Sequence, residues 1–262
     1  MTDYFEKITS AGPDAPWITM VHAMTQDRRV FSTQVEAFKA DYQILLIDLP
    51  GHGLATSVSG PYGHLEMMRH VSRVLDLAQI GPSHFWATHT GTAVGLLLAA
   101  REPDRLKTLI LEGVVISGFP MPYVADTLAK AAKKARDEGI EAALRDVFYQ
   151  ADWYDVMRTH RDQCRAEAHW NILKDFAGAP WTDDGTPEPV ALTDADLSKI
   201  TTPTLVYNGE HDLKDFIDVA NHLEKTLGDV KRVIIPQAGG FPAWEFPGPV
   251  NEVVRAYIQR HS

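Results

Sequence analysis

The chain has little sulfur chemistry available to it. Its 262 residues include one cysteine, Cys164. A disulfide within the chain needs two cysteines, and a cysteine-based zinc site needs several, so the sequence excludes both. We expect a reducing compartment, the cytoplasm. We also expect an inert Cys164, because no acid–base partner accompanies it in the sequence.

Long apolar runs and positive charge are also scarce. No run reaches the roughly 18 apolar residues of a membrane-spanning helix, and residues 1–6 do not resemble a signal peptide. The net charge of −10 at pH 7 argues against nucleic acid, because phosphates are bound by basic surfaces. We therefore expect a small-molecule substrate and neither a nucleic-acid nor a membrane partner. A homodimer stays open.

Strand-like and helix-like segments alternate at both ends of the chain, and 45% of the residues are hydrophobic, enough for a large core. Apolar runs rich in β-formers alternate with segments whose apolar residues recur at helical spacing. This alternation predicts an α/β fold with a doubly wound, mostly parallel sheet. The predicted strands are 17–21, 42–49, 85–88, 106–111, 204–208 and 232–235, and the predicted helices are 31–38, 64–77, 94–100, 216–227 and one beyond 250.

The alternation of strand-like and helix-like segments stops in the middle of the chain. Residues 118–198 carry only helical patterns, at 123–135 and 140–149, with tryptophans interspersed. We predict that this stretch is a helical cap, here named the predicted cap. The predicted core then consists of residues 1–117 and 199–262.

Residues 85–95 are the stretch around which the chain is organised. They read as an apolar strand that turns abruptly into an apolar helix. Ala87 and Gly91 are small residues that flank His89 and permit a strained turn, which typically persists where it serves a function. Imidazole titrates near neutrality, so His89 is a candidate general base or nucleophile.

Several motifs resemble the α/β-hydrolase fold, and in particular the branch of the 3-oxoadipate enol-lactonases. They are residues 27–34, 48–53, 101–106, 203–206 and 209–212, together with the abrupt turn at His89 within residues 85–95, here named the elbow. The resemblance covers essentially the whole chain outside the predicted cap. It implies the fold, while the substrate has to be argued from the site.

The resemblance assigns roles position by position. Asp212 matches the family's acid, and the N–H groups of Thr90 and of Met24 or Ala23 match its oxyanion-hole donors. His89 stands where the family has its nucleophilic serine. Gly240 stands where it has its histidine. If these alignments hold, a Ser-His-Asp mechanism is excluded.

Other residues compete for roles at the site. Glu112 ends the strand after the elbow and is an alternative to Asp212 for orienting His89, although either carboxylate could instead be a turn, cap or surface residue. His22, in the first loop, is expected to make structural hydrogen bonds beside the oxyanion donors. His22, His89 and Asp212 do not have the spacing of a metal-ligand motif, so we expect neither a metal nor a cofactor.

Three tryptophans are candidate pocket residues. Trp153 and Trp170 lie in the predicted cap, and apolar walls are the norm for such pockets. Trp244, four residues after Gly240, is expected to fill space that the family's histidine would occupy.

Three functions remain open at this stage. The leading one is an enzyme that cleaves an ester, a lactone or a C–C bond of a small carbonyl compound with His89 as base or nucleophile. The second is a cofactor-independent lyase or oxygenase with a histidine base. The third is a non-catalytic protein that binds a ligand in the same pocket.

Overall fold

The computed structural model describes residues 4–159 and 162–261. Within these residues seven strands form one sheet, in the order β1-β3-β2-β4-β5-β6-β7. All neighbouring strands pair in parallel except β1 and β3, which are antiparallel. The strands are β1 (Phe5–Ile8), β2 (Trp17–Val21), β3 (Gln43–Ile47), β4 (Ser83–Thr88), β5 (Leu106–Glu112), β6 (Thr204–Gly209) and β7 (Val230–Ile235).

Helices follow most of the strands, as expected for parallel connections. In the described part of the chain they are α1 (Ser32–Phe38), α2 (His64–Ala78), α3 (Thr90–Arg101), α4 (Pro122–Glu138), α5 (Ile140–Asp146), α6 (Asp155–Thr159), α7 (Gln163–Leu173), α8 (Ala179–Thr182), α9 (Asp194–Leu197), α10 (Lys214–Thr226), α11 (Pro242–Glu245) and α12 (Pro247–Arg260). None of these helices combines the length and apolarity that crossing a membrane requires.

The strands predicted from apolar runs are confirmed. Every residue of β3, β4 and β6 is buried, because helices cover both faces of a parallel sheet and leave no polar side to the strand. The antiparallel edge strand β1 was missed. Its two middle residues are charged and exposed, so it carries no apolar run to reveal it.

Helices also form where the predicted cap was expected. The described residues of 118–198 contain α4 to α9 and no strand. The predicted helix at 123–135 is confirmed and is longer, as α4. The predicted helix at 140–149 is too long, because α5 ends at Asp146 and a separate turn of 3₁₀ helix covers Phe148–Gln150.

The carboxyl ends of the central strands define the position of the site. Thr88, the last residue of β4, pairs with Glu112 at the end of β5, and Glu112 pairs with Tyr207 of β6. On the other side of β4, Val21 ends β2 opposite Ala87. The loops after these strands therefore meet at one edge of the sheet, where parallel sheets bind ligands.

Candidate functional site

His89 sits in a strained turn between β4 and α3. Its backbone angles are φ 43° and ψ −113°, a conformation that residues other than glycine rarely adopt. Its N–H donates to the carbonyl of Glu112 at 2.8 Å. Its own carbonyl accepts from the N–H and the hydroxyl of Thr92, at 2.7 and 2.5 Å. These bonds hold the elbow, and the predicted abrupt turn from strand to helix is present.

Two glycines make room for this elbow. A Cβ on Gly91 would lie 2.5 Å from the carbonyl oxygen of Val21, so only glycine lets α3 begin this close to β2. A Cβ on Gly113 would lie 2.6 Å from Nε2 of His89. The imidazole therefore lies over the backbone of Gly113, in space that any larger residue would fill.

The imidazole of His89 is surrounded by aromatic rings. The ring of Phe216 meets it edge-on and the ring of Phe241 is tilted against it, each with centroids 4.7 Å away. Neither ring nitrogen makes a well-aligned hydrogen bond to a described residue, although the backbone of Gly240 interacts with the ring. Burial lowers the pKa of His89 to about 3, opposed only by the nearby backbone of Gly240. The ring is therefore neutral at physiological pH.

A pocket opens beside this ring, with about 410 Å³ of empty space, part of it open to solvent. Its lining is apolar apart from His89 and Thr90, and none of the described residues that line it carries a carboxylate. Both the core and the predicted cap contribute to it. The lining residues are Ala23, Met24, His89, Thr90, Val115, Val124, Leu128, Phe148, Trp153, Phe216 and Phe241.

Asp212, the first candidate for orienting His89, is bonded elsewhere. Its Oδ2 accepts from Nδ2 of Asn208 and its Oδ1 from the N–H of Leu213, both at 2.8 Å. Burial raises its pKa to about 7, against the effect of these bonds. The expected pairing with His89 is not formed. The two hydrogen bonds of Asp212 fit its alternative role as a turn residue better.

Glu112, the second candidate, is also committed to other groups. Its Oε2 accepts from the N–H of Ala243 at 2.7 Å, and its carboxyl group interacts with the hydroxyl of Tyr207. Burial raises the pKa of Glu112 to about 8, while these two contacts lower it. Only its backbone reaches His89, so the expectation that its side chain orients the imidazole is not met either.

The first-loop donors are already engaged by side chains. The N–H of Met24 donates to Oγ1 of Thr90 at 3.2 Å, and the N–H of Ala23 donates to Oε1 of Gln26 at 3.4 Å. The bond of Met24 lies at the upper end of the ordinary distance range, and the bond of Ala23 is long and therefore weak. The N–H of Thr90, at the first position of α3, makes no hydrogen bond within the described residues. All three residues nevertheless line the pocket, and their role as oxyanion donors stays a prediction.

His22 stabilises the first loop from behind. It is fully buried, with Nε2 accepting from the N–H of Leu49 at 3.0 Å and Nδ1 bonded to the carbonyl of Ala23 at 2.7 Å. His52 acts similarly, accepting from the N–H of Thr25 at 3.2 Å. His22 therefore makes the structural hydrogen bonds expected from the sequence, and it does not line the pocket itself.

The three candidate tryptophans lie in different places. Trp153 lines the pocket. Trp170 is half-buried, packs on Tyr149 with ring centroids 5.0 Å apart, and does not line the pocket. Trp244 lines a second, smaller cavity, to which Phe241 also contributes. Trp170 is therefore not a wall of this pocket, against the expectation. The atoms nearest to a Cβ on Gly240 belong to Trp153 and not to Trp244.

Sequence reasoning missed two buried polar residues beside the site. His169 of α7 is fully buried and bonded through Nε2 to Nε2 of Gln26 at 2.9 Å. Glu245 accepts from the N–H of Gly239 at 2.6 Å, and burial raises its pKa to about 7. Neither lies in a recognisable motif, so only the fold places them here. Within the described residues, no three His, Cys, Asp or Glu side chains could hold a metal ion.

Comparisons with known proteins agree with this architecture. A family model of the alpha/beta hydrolase fold matches residues 16–147, half of the chain. A 2-hydroxy-6-oxononadienedioate/2-hydroxy-6-oxononatrienedioate hydrolase of Burkholderia vietnamiensis is 26% identical over 244 residues, covering 88% of this chain and 81% of that protein. A 2-succinyl-6-hydroxy-2,4-cyclohexadiene-1-carboxylate synthase of Yersinia pseudotuberculosis is 27% identical over 264 residues, covering 94% and 89%.

Solved structures show the same fold. The enol-lactonase of Burkholderia xenovorans matches with a TM-score of 0.80 and 21% identity, covering 97% of this chain and 95% of that one. At this identity the likeness concerns the fold alone.

Proposed function

Because the chain belongs to the alpha/beta hydrolase fold family, we propose that it is an enzyme that hydrolyses a small, largely apolar ester, enol ester or lactone, with neutral His89 as its nucleophile. The observation that carries this proposal is the state of the imidazole. It is the one titratable side chain among the described residues that line the pocket, and no side chain among the described residues makes a hydrogen bond to either of its nitrogens.

The chemistry follows from that neutral ring. The nitrogen lone pair attacks the carbonyl carbon, the bond to the leaving oxygen breaks, and the leaving group takes the proton that the other ring nitrogen loses. Water then cleaves the acyl-imidazole to release the acid. A low pKa makes imidazole a weak base and nucleophile, so the proposal is restricted to esters with good leaving groups, such as enols and phenols. General-base activation of water by His89 is the variant without an acyl intermediate.

The pocket supports the substrate class. Val124, Leu128, Phe148 and Trp153 of the predicted cap and Phe216 of the core line the pocket together, and apolar walls of this kind accept apolar groups. We propose on this basis that residues 118–198 act as a cap over a core of residues 1–117 and 199–262. The reaction as written needs no cofactor or metal.

A binding function without catalysis is the second candidate. It is favoured by the engagement of the Met24 and Ala23 N–H groups with side chains. It is also favoured by the lack, within the described residues, of any hydrogen bond between a carboxylate and the imidazole of His89. A ligand receptor needs neither a free oxyanion donor nor an oriented base.

One assay separates the two candidates. Purified protein is incubated with aryl esters and enol-lactones of increasing size, with His89→Gln as a nearly isosteric variant. The proposal expects saturable hydrolysis that His89→Gln abolishes, and an acyl group on the peptide containing His89 after rapid acid quench. Saturable ligand binding without turnover would support the receptor. Turnover that requires oxygen would instead support an oxygenase.

A further inference from the structure

Thr90 places a hydroxyl group between the first loop and the pocket. Its Oγ1 accepts the N–H of Met24 at 3.2 Å, and both residues line the pocket together with His89. A hydroxyl that accepts one hydrogen bond still has its own proton to donate. Among the described residues no acceptor takes that proton, since the bond to Met24 is the one hydrogen bond of Oγ1.

We infer that the hydroxyl of Thr90, polarised by the N–H of Met24, is the side-chain donor that binds the carbonyl oxygen of the ligand, beside the backbone N–H of Thr90. The inference rests on the proposed function for its substrate class. The sequence predicted that the N–H of Met24 donates directly to the ligand. In the present inference that N–H acts through the hydroxyl of Thr90. The ligand oxygen would lie one hydrogen-bond length farther from the first loop than a direct donor allows.

Two physical arguments support this assignment. Hydrogen bonds in a chain polarise one another, so a hydroxyl that accepts from a backbone N–H becomes a stronger donor. The second donor is the N–H of Thr90, which has no partner among the described residues and carries the positive end of the dipole of α3. The buried imidazole of His89, which lines the same pocket and has no side-chain hydrogen-bond partner among the described residues, marks the same place as a ligand site.

The opposite role for the hydroxyl predicts the opposite result. If Oγ1 merely occupied the Met24 N–H, removing it would free a backbone donor and improve carbonyl binding. Thr90→Val removes the hydroxyl and keeps the shape of the side chain. Thr90→Ser keeps the hydroxyl and serves as the matched control.

The first measurement is hydrolysis of an aryl ester. Loss of one oxyanion donor typically lowers kcat by about 10²–10³, so we expect this loss in Thr90→Val. Thr90→Ser should stay within about tenfold of the unmodified chain, since it retains the donor. A Thr90→Val variant that is as fast as the unmodified chain, or faster, would overturn the inference.

The second measurement does not depend on turnover. An aryl methyl ketone is bound to the His89→Ala protein, first with Thr90 unchanged and then with Thr90→Val or Thr90→Ser added, and the infrared carbonyl stretch is recorded. The band should move to higher frequency with Thr90→Val and not with Thr90→Ser. An unchanged band, or no saturable ketone binding, would contradict the inference. A chain that hydrolyses no ester but shows the band shift would contradict the proposed function alone.

Discussion

The carbonyl oxygen of Trp153 lies 2.6 Å from the point where a Cβ on Gly240 would stand. Gly240 occupies the position at which the family resemblance expects a histidine. The predicted cap therefore rests directly on the place where the stem of that histidine would begin. The double variant His89→Ser with Gly240→His would restore the serine and the histidine that the family motifs carry. A histidine at position 240 would, however, force Trp153 away from the core.

Substituting Gly240 should reveal this contact. Gly240→Ala is expected to lower the free energy of unfolding by about 1–3 kcal/mol, as overpacking against a backbone atom does. Urea unfolding measures the change. Gly228→Ala is the control, because Gly228 lies between α10 and β7 and its added Cβ would meet no described residue beyond its chain neighbours within 4 Å. Equal stability of Gly240→Ala and the unmodified chain would mean that the predicted cap is not seated on Gly240.

His89→Ala should lower turnover by about 10²–10⁴ without unfolding the protein. Because burial lowers the pKa of His89 to about 3, its ring stays neutral from about pH 5 to about pH 8 and adds no inflection to the profile of kcat/KM there. Steady-state kinetics across this range is the measurement, with the exposed His211→Ala as control. An inflection near the ordinary histidine pKa of about 6.5 that disappears with His89→Ala would show a hydrated imidazole instead.

Fluorophosphonate probes, which label activated serines, should not label this chain. The elbow carries His89, and Ser83, the serine nearest to it in sequence, is buried and shares a 2.7 Å hydrogen bond with Thr19. Intact-mass spectrometry after exposure to the probe gives the answer. Stoichiometric labelling at Ser57, Ser59 or Ser83 would place the nucleophile elsewhere.

Glu245→Gln should become relatively more stabilising as the pH rises. Burial raises the pKa of Glu245 from 4.5 to about 7, so the folded state holds a proton that the unfolded state releases. That contribution to stability is complete below pH 4.5 and is lost as the pH rises toward 7. The stability difference between variant and unmodified chain should therefore shift by up to about 1 kcal/mol per pH unit in this window.

Urea unfolding at about pH 5, 6 and 7 measures that shift, with Glu252→Gln, at an exposed surface position, as control. A constant difference between Glu245→Gln and the unmodified chain at all of these pH values would contradict a protonated Glu245 in the folded state.

The sequence by itself determined the sheet and the elbow. Buried parallel strands are apolar runs, and the small residues Ala87 and Gly91 on either side of His89 are local requirements of a tight turn. The turn role of Asp212 was likewise open to sequence reasoning, because its bond to Leu213 joins adjacent residues. The charged edge strand β1 was not predicted, because no local sequence feature distinguishes it from a loop.

Only the tertiary structure decided which groups surround the imidazole. Phe216 and Phe241 contact His89 from segments more than 120 residues farther along the chain. The side chain of Glu112 accepts a hydrogen bond from Ala243 and not from His89. Such contacts depend on how α10 and the loop before α11 pack on the sheet, which no spacing in the sequence records. The burial that keeps His89 neutral is a property of that packing.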